Sequence, residues 1–129
     1  MKNLIYIIVC AIGILGCSNQ KAPDIQFVFV KIPEQIMPLE RGAKYEDPLD
    51  AILKKEKVGE VAGGGTQMSD QDKDGKRTIE WIGIDVDLTD FKRGLPILKS
   101  GLIKLGVPEG TILEYTRDGK DHSEKVKER

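Results

Sequence analysis

Acidic residues at alternate positions before a glycine are the strongest candidates for metal chemistry in this chain. The pattern is supplied by Asp70, Asp72, Asp74 and Gly75. It is typical of the start of a calcium-binding loop, in which a glutamate at the twelfth position contributes two more oxygens. Counted from Asp70, that position holds Trp81, and the pattern after the loop is that of a strand instead of a helix. We therefore predict a hairpin turn, with weak calcium binding by the three aspartates as the alternative.

Few other residues could carry catalysis. The single histidine, His122, lies in a charged C-terminal segment, so a Ser–His pair or a histidine-based zinc site is not expected. Asp85 and Asp87 alternate along a strand pattern, which is typical of a solvated strand surface more than of an acid–base pair. The glycines at 63–65 lack the lysine of a phosphate-binding loop. The sequence predicts no enzymatic activity and no cofactor, with small-ligand binding by residues 63–76 as the alternative.

The first residues differ in composition from the rest. Lys2 precedes an apolar run from Leu4 to Gly16 that contains no charged residue. The run is shorter than the roughly 20 residues that a membrane-spanning helix needs. A positive start followed by a short apolar segment is typical of an export signal. We predict that this signal, residues 1–16, is removed.

The end of that segment indicates how the exported chain is anchored. Ile14-Leu15-Gly16-Cys17 resembles the lipobox of bacterial lipoproteins. The resemblance implies a diacylglycerol on the Cys17 sulfur, cleavage before Cys17 and acylation of the new amino group. Several acyl chains hold a protein stably on a bilayer. By the same resemblance, Ser18 in place of aspartate implies the outer membrane, facing the periplasm, in a Gram-negative cell. Residues 17–24 would then form a tether.

The remaining elements predict an α+β fold. Apolar and β-branched patterns indicate strands at 25–32, 77–88 and 111–116. The stretch 58–66 begins as a strand, which is expected to end at the glycines 63–65. Helices are indicated at 48–56 and from Thr89 or Asp90 to 105. Asp47-Pro48 predicts the start of the first helix, after an irregular crossover at 33–47. The order β-α-β-β-α-β is that of the ferredoxin-like fold, a four-stranded antiparallel sheet with both helices on one face and strand order 4-1-3-2. This domain covers 25–117, and 118–129 is predicted to be a flexible charged tail.

Alternation along the strands predicts an apolar surface without a helix to cover it. Val28, Val30 and Ile32 should face the helices, as should Ile82, Ile84, Val86 and Leu88. The opposite face then presents four large side chains as a candidate partner-binding patch: Phe27, Phe29, Ile79 and Trp81. A net charge of −1 disfavours nucleic acid as the partner. A protein partner or a homodimer is predicted, unless segment 33–47 folds over the patch.

The globular part also resembles a class of small bacterial domains. The similarity lies in EDPLDAIL, VGEVAGGGTQMSD, DGKRTIEWIGIDVDLTD and LGVPEGTILEY. These stretches resemble small ferredoxin-like domains of mostly unassigned function, some of them suspected immunity partners of toxins. The resemblance implies a fold more than an activity. The sequence as a whole predicts an envelope lipoprotein with a non-catalytic protein-binding domain.

Membrane attachment is tested by Cys17→Ser, since serine offers no thiol to the diacylglycerol. We expect the variant to be released from the membrane fraction, or to stay unprocessed, in fractionated cells probed by immunoblot. A variant that remains processed and membrane-bound would contradict the lipobox interpretation.

Overall fold

The computed structural model describes residues 24–128 as one sheet with helices packed on one of its faces. The signal segment 1–16, Cys17 and all of the tether except Asp24 lie outside the described residues. In chain order the elements are β1 Gln26–Ile32, α1 Pro38–Arg41, a π-helical turn Gly42–Glu46, α2 Asp47–Lys55, β2 Gly59–Met68, β3 Ile79–Leu88, α3 Phe91–Lys104, β4 Ile112–Arg117 and β5 Lys120–Lys125. No helix within 24–128 is long and apolar enough to span a bilayer.

The sheet is antiparallel throughout, with strand order β2-β3-β1-β4-β5. The α+β class is therefore confirmed, and the first four strands have the predicted neighbours. The prediction of four strands was wrong, because a fifth pairs with β4. Strand β1 pairs with β3 along its whole length, from Gln26 opposite Leu88 to Ile32 opposite Ile82.

The fifth strand corrects the expectation of a flexible tail at 118–129. Asp118 and Gly119 have φ of 53° and 76° and form a two-residue turn, with Arg117 paired to Lys120. Positive φ at both turn residues matches the twist of antiparallel strands, and Asp-Gly tolerates it well. The domain thus continues beyond 117, and Val126 is buried in its core.

The second strand also differs from its predicted form, because its glycines belong to the strand. Gly63, Gly64 and Gly65 pair with Asp85, Ile84 and Gly83. Backbone groups alone form a strand ladder, so the lack of side chains does not end the strand. At Gly64 a Cβ would lie 1.9 Å from Glu46 Oε1. The glycine therefore admits Glu46 and its partner Arg41, whose Nε lies 2.9 Å from the same oxygen.

The segment at 33–47 is helical over much of its length instead of irregular. Glu46 has φ −62° and ψ −52°, so the chain is already helical before Asp47, and Asp47 does not act as the predicted cap. The amide of Asp47 donates instead to the Gly42 carbonyl, which closes the wide turn. Pro48 follows this turn and has no amide hydrogen to donate to the preceding carbonyls. Helical structure therefore runs without a break from Pro38 to Lys55.

The core lies between the sheet and the helices. All seven β1 and β3 residues predicted to face the helices are fully buried, so the assignment of faces is confirmed. Leu98 and Leu102 of α3 also belong to this core. Asp90 caps α3 by accepting from the Arg93 amide at 3.1 Å. Ile103 of α3, in contrast, is 48% exposed.

The glycines of β2 give a matched pair of variants for stability. Gly64→Ala should displace Glu46 and disrupt its part-buried ion pair with Arg41, which we expect to lower the free energy of unfolding by about 1–2 kcal/mol. Gly65→Ala meets nothing within 4 Å and should change stability by less than about 0.5 kcal/mol or increase it slightly. Urea unfolding followed by circular dichroism measures both. Equal stability of the two variants would contradict this account of Gly64.

Candidate functional site

The sheet face opposite the helices is the candidate site, and we call it the open face. The pairing registers place on it alternate residues of every strand, namely Glu60, Gly63, Gly65 and Gln67 of β2, Trp81, Gly83, Asp85 and Asp87 of β3, Phe27, Phe29 and Lys31 of β1, Ile112, Glu114 and Thr116 of β4, and Asp121, Ser123 and Lys125 of β5. Helices α2 and α3 bury their apolar residues against the other face. The open face thus keeps large side chains in contact with solvent.

Three aromatic side chains form a ridge along its centre. Phe27 is 48% exposed, while Phe29 and Trp81 are half-buried. The rings of Phe29 and Trp81 meet edge to face, with centroids 5.8 Å apart and planes at 78°, a favourable geometry for aromatic pairs. We call Phe27, Phe29 and Trp81 the aromatic ridge. Ile79, the fourth predicted member, packs against the core and contributes less to this surface.

Glycine at position 83 lets the ridge form. A Cβ there would lie 2.4 Å from the Phe29 ring, so the ring occupies the space above this residue. Phe29 thereby leans from β1 onto β3 and reaches Trp81. Lys31 places its ammonium 4.8 Å from the centroid of the Trp81 ring, within the range of a cation–π contact. The sequence offered no signal for this arrangement beyond the glycine within an otherwise regular strand.

Segment 33–47 does not cover the ridge. Tyr45 is fully buried in the core on the helix side. Arg41 donates to Thr66 Oγ1 at 2.8 Å, and Thr66 pairs with Ile82, whose side chain faces the helices. The segment therefore packs on the face opposite the ridge, and the alternative in which it buries the patch is wrong.

Carboxylates flank the ridge on both sides. Asp85 pairs with Phe29 and Asp87 with Phe27 on the β3 side, and Glu114 pairs with Phe29 on the β4 side. Farther out are Glu60 and Asp121, which accepts from Thr116 at 2.6 Å. A cleft of about 480 Å³ beside the ridge has Glu114 and Asp121 in its lining. The strand residues of the open face include more carboxylates than lysines, which are Lys31 and Lys125, so their formal net charge is negative.

The loop between β2 and β3 is a hairpin connection, as predicted. Asp72 Oδ1 accepts from the amides of Asp74 and Lys76 at 2.8 and 2.9 Å, and Gly75 has φ of 78°. The Asp72 carboxylate thus stabilises the turn through backbone groups. Within 24–128, no cluster of three or more His, Cys, Asp or Glu side chains has metal-binding geometry. Asp70, Asp72 and Asp74 are not brought together as a ligand set.

A group of ionisable side chains around the buried Tyr45 lies on the helix side, with Lys44 and Glu34 partly exposed. Tyr45 donates to Glu34 Oε2 and Lys44 donates to Glu34 Oε1. Burial, with the Glu34 hydrogen bond as a second cause, raises the pKa of Tyr45 to about 12. The hydrogen bond to Glu34 also raises the pKa of Lys44. This group ties the π-helical turn to the segment after β1, so we assign it a structural role.

His122 lies in a strand and not in a flexible tail, which the sequence analysis had predicted for this segment. It lies on β5 and stacks on Tyr115, with centroids 5.0 Å apart and planes at 17°. Tyr115 in turn meets Phe91 of α3 edge to face at 5.3 Å. Lys99 of α3 also pairs with Glu124 of β5 at 2.7 Å. These contacts hold the fifth strand against α3 and assign His122 to packing.

Comparison with known proteins adds one distant structural likeness. No protein-family model matches the chain, and a sequence comparison with curated proteins gives no match. Among solved structures, a phage SAM lyase in complex with S-methyl-5'-thioadenosine is similar, with a TM-score of 0.45 and 12% identity, over 85% of this chain and 96% of that chain. A likeness at this level implies nothing about activity or ligand.

The buried Tyr45 hydroxyl makes stability sensitive to alkaline pH. Its folded pKa of about 12 exceeds the ordinary value, so its contribution is complete below pH 10 and is lost as the pH rises toward 12. The loss is on the order of 2 kcal/mol. Urea unfolding between pH 8 and 11 should show this decline, and Tyr45→Phe should flatten it.

Tyr115→Phe is the matched control for that experiment. Its hydroxyl also has a raised pKa, chiefly through burial, but that hydroxyl lies 3.5 Å from its acceptor. The control should retain most of the alkaline decline. A decline that is unchanged in Tyr45→Phe would contradict the role of this hydroxyl.

Proposed function

We propose that this chain is a bacterial envelope lipoprotein, anchored through lipid on Cys17, whose domain binds a protein partner through the open face. In a Gram-negative cell, it would sit on the outer membrane and face the periplasm. Support for the anchor comes from the lipobox at 14–17. Support for binding comes from the aromatic ridge on the open face of the domain. We take the role of this domain to be non-catalytic, in immunity or another envelope function.

The exposed aromatic ridge is the observation that carries the binding proposal. Large apolar surfaces left in contact with water usually mark interaction sites, and aromatic residues dominate the energetics of such sites. Phe27 is nearly half exposed, although the helix side of the same sheet is fully packed. Phe29 and Trp81 already pack against each other edge to face, and such prior packing lowers the side-chain entropy lost on binding.

The short tether limits where this face can act. The segment from Cys17 to the start of β1 at Gln26 spans at most about 30 Å when fully extended. β1 is the central strand and carries Phe27 and Phe29, so the ridge begins close to the point where the tether enters the domain. A partner must therefore be reached near the bilayer surface, which favours an envelope-associated protein.

Two exposed apolar positions, one on the open face and one on a helix, provide a matched test. Phe27 on the open face and Ile103 on α3 are both 48% exposed. A photo-crosslinking amino acid at position 27 in the native host should give a discrete crosslinked product on immunoblots, identifiable by mass spectrometry. The same amino acid at position 103 should not give it.

A lack of product at position 27, or the same product from both positions, would rule out the open face as the binding site. Phe27→Asp, expressed without the crosslinker, should leave the circular dichroism spectrum unchanged because Phe27 lies outside the helix-side core and is nearly half exposed. This variant should also abolish association with the partner that the crosslink identifies.

A further inference from the structure

The charge on the open face distinguishes between a protein partner and a second copy of this chain. Two copies meeting through this face would bring together two sets of carboxylates, including Asp85, Asp87 and Glu114. Its two lysines are too few to neutralise them, and Lys31 already lies on the Trp81 ring. Like charges opposed across an interface disfavour association. A basic partner surface would be complementary.

The open face also has an unfilled space next to one of its carboxylates. Gly65 pairs with Gly83, and a Cβ at position 65 would find nothing within 4 Å, so the space above it is open. At the neighbouring position on the same face, Gly63, an added Cβ would lie 3.5 Å from Asp85 Oδ2. The Asp85 carboxylate therefore leans over β2 and borders this space. We call the open space above Gly65 the notch.

The other borders of the notch are aromatic and polar. The Phe29 ring lies above Gly83, next to Gly65 across the strand pair. Trp81 pairs with Gln67, the next residue of β2 on this face. By register, the side chains nearest the notch on the open face are the Phe29 and Trp81 rings and the Asp85 carboxylate, all farther than 4 Å from a Cβ at Gly65. The notch lies at the edge of the sheet because β2 is an edge strand. Aromatic rings and a carboxylate are complementary to a guanidinium group.

We propose that the open face takes a basic protein surface, not a second copy of this chain, and that an arginine side chain of this partner lies in the notch. Its guanidinium pairs with the Asp85 carboxylate, and its aliphatic stem rests on bare backbone at Gly65 against the Phe29 ring. The aromatic ridge contacts apolar residues beside that arginine. The inference rests on the proposed function, because it specifies the chemistry of the partner that binds this same face.

Trp81, the single tryptophan of the chain, gives a direct readout. The full chain in a non-ionic detergent is titrated with a peptide of three Gly-Arg repeats, acetylated and amidated, while tryptophan fluorescence is recorded. The matched probe replaces each arginine by citrulline, which has a similar shape but no charge. We expect a saturable change with the arginine peptide, and binding of the citrulline peptide that is weaker by about fivefold or more.

Two variants and one control test whether the arginine peptide binds at the notch. Asp85→Asn removes the carboxylate at the notch, and Gly65→Val fills the notch at a position that has room for a side chain. Each should weaken binding of the arginine peptide by about fivefold or more. Asp121→Asn removes a carboxylate of the same face four strands away, roughly 19 Å from the notch, and should change binding much less.

The outcomes separate this inference from the proposed function. If position 27 crosslinks to another protein but the arginine and citrulline peptides bind equally, or Asp85→Asn and Gly65→Val bind like the wild type, the notch assignment is overturned and the open face remains a binding site. A crosslinked product consisting of two copies of this chain overturns the exclusion of self-association. Absence of any product at position 27 overturns the proposed function itself.

Discussion

The pairing of β1 with β3 is the constraint on which the rest of this domain depends. The two strands are in register from end to end, so their side chains alternate together between the two faces. The branched aliphatic residues all lie against the helices, and Phe27 and Phe29 lie opposite Asp87 and Asp85. A slip of one residue would send the core side chains into water and the carboxylates into the core. Core and binding face are therefore set by one register.

On each face of the sheet, a glycine leaves room for a side chain from another element to pack against the backbone. On the helix side, Gly64 leaves room for Glu46 and its ion pair with Arg41, which brings the π-helical turn down onto β2. On the open face, Gly83 leaves room for the Phe29 ring. The two glycines thus let the helical segment pack on the helix side and the Phe29 ring pack on the open face, so the helical segment does not cover the ridge. The Glu34, Lys44 and Tyr45 group secures that helical segment from its other side.

Sequence patterns predicted most of the architecture and less of the site. Strict alternation in β3 and caps such as Asp90 are local signals, so strand and helix positions were close to those observed. Two predictions were wrong because the composition of a segment was given more weight than its local hydrogen-bond and turn chemistry. The glycines of β2 were taken to end a strand, although ladder hydrogen bonds need no side chains. The charged C-terminus was taken as flexible, although Asp118-Gly119 carries the same Asp-Gly turn signal that was recognised at Asp74-Gly75.

By itself, the sequence determined the N-terminal lipobox pattern, the α+β class, the neighbours of the first four strands and the face on which Phe27, Phe29 and Trp81 lie. These features follow from the spacing of residue types along the chain, which can be read directly from the sequence. Only the tertiary structure decided that segment 33–47 packs on the helix side, that Phe29 leans over Gly83, and that Asp85 borders an open space above Gly65. Those features depend on distances between side chains of different strands, and such distances arise only when the sheet has formed.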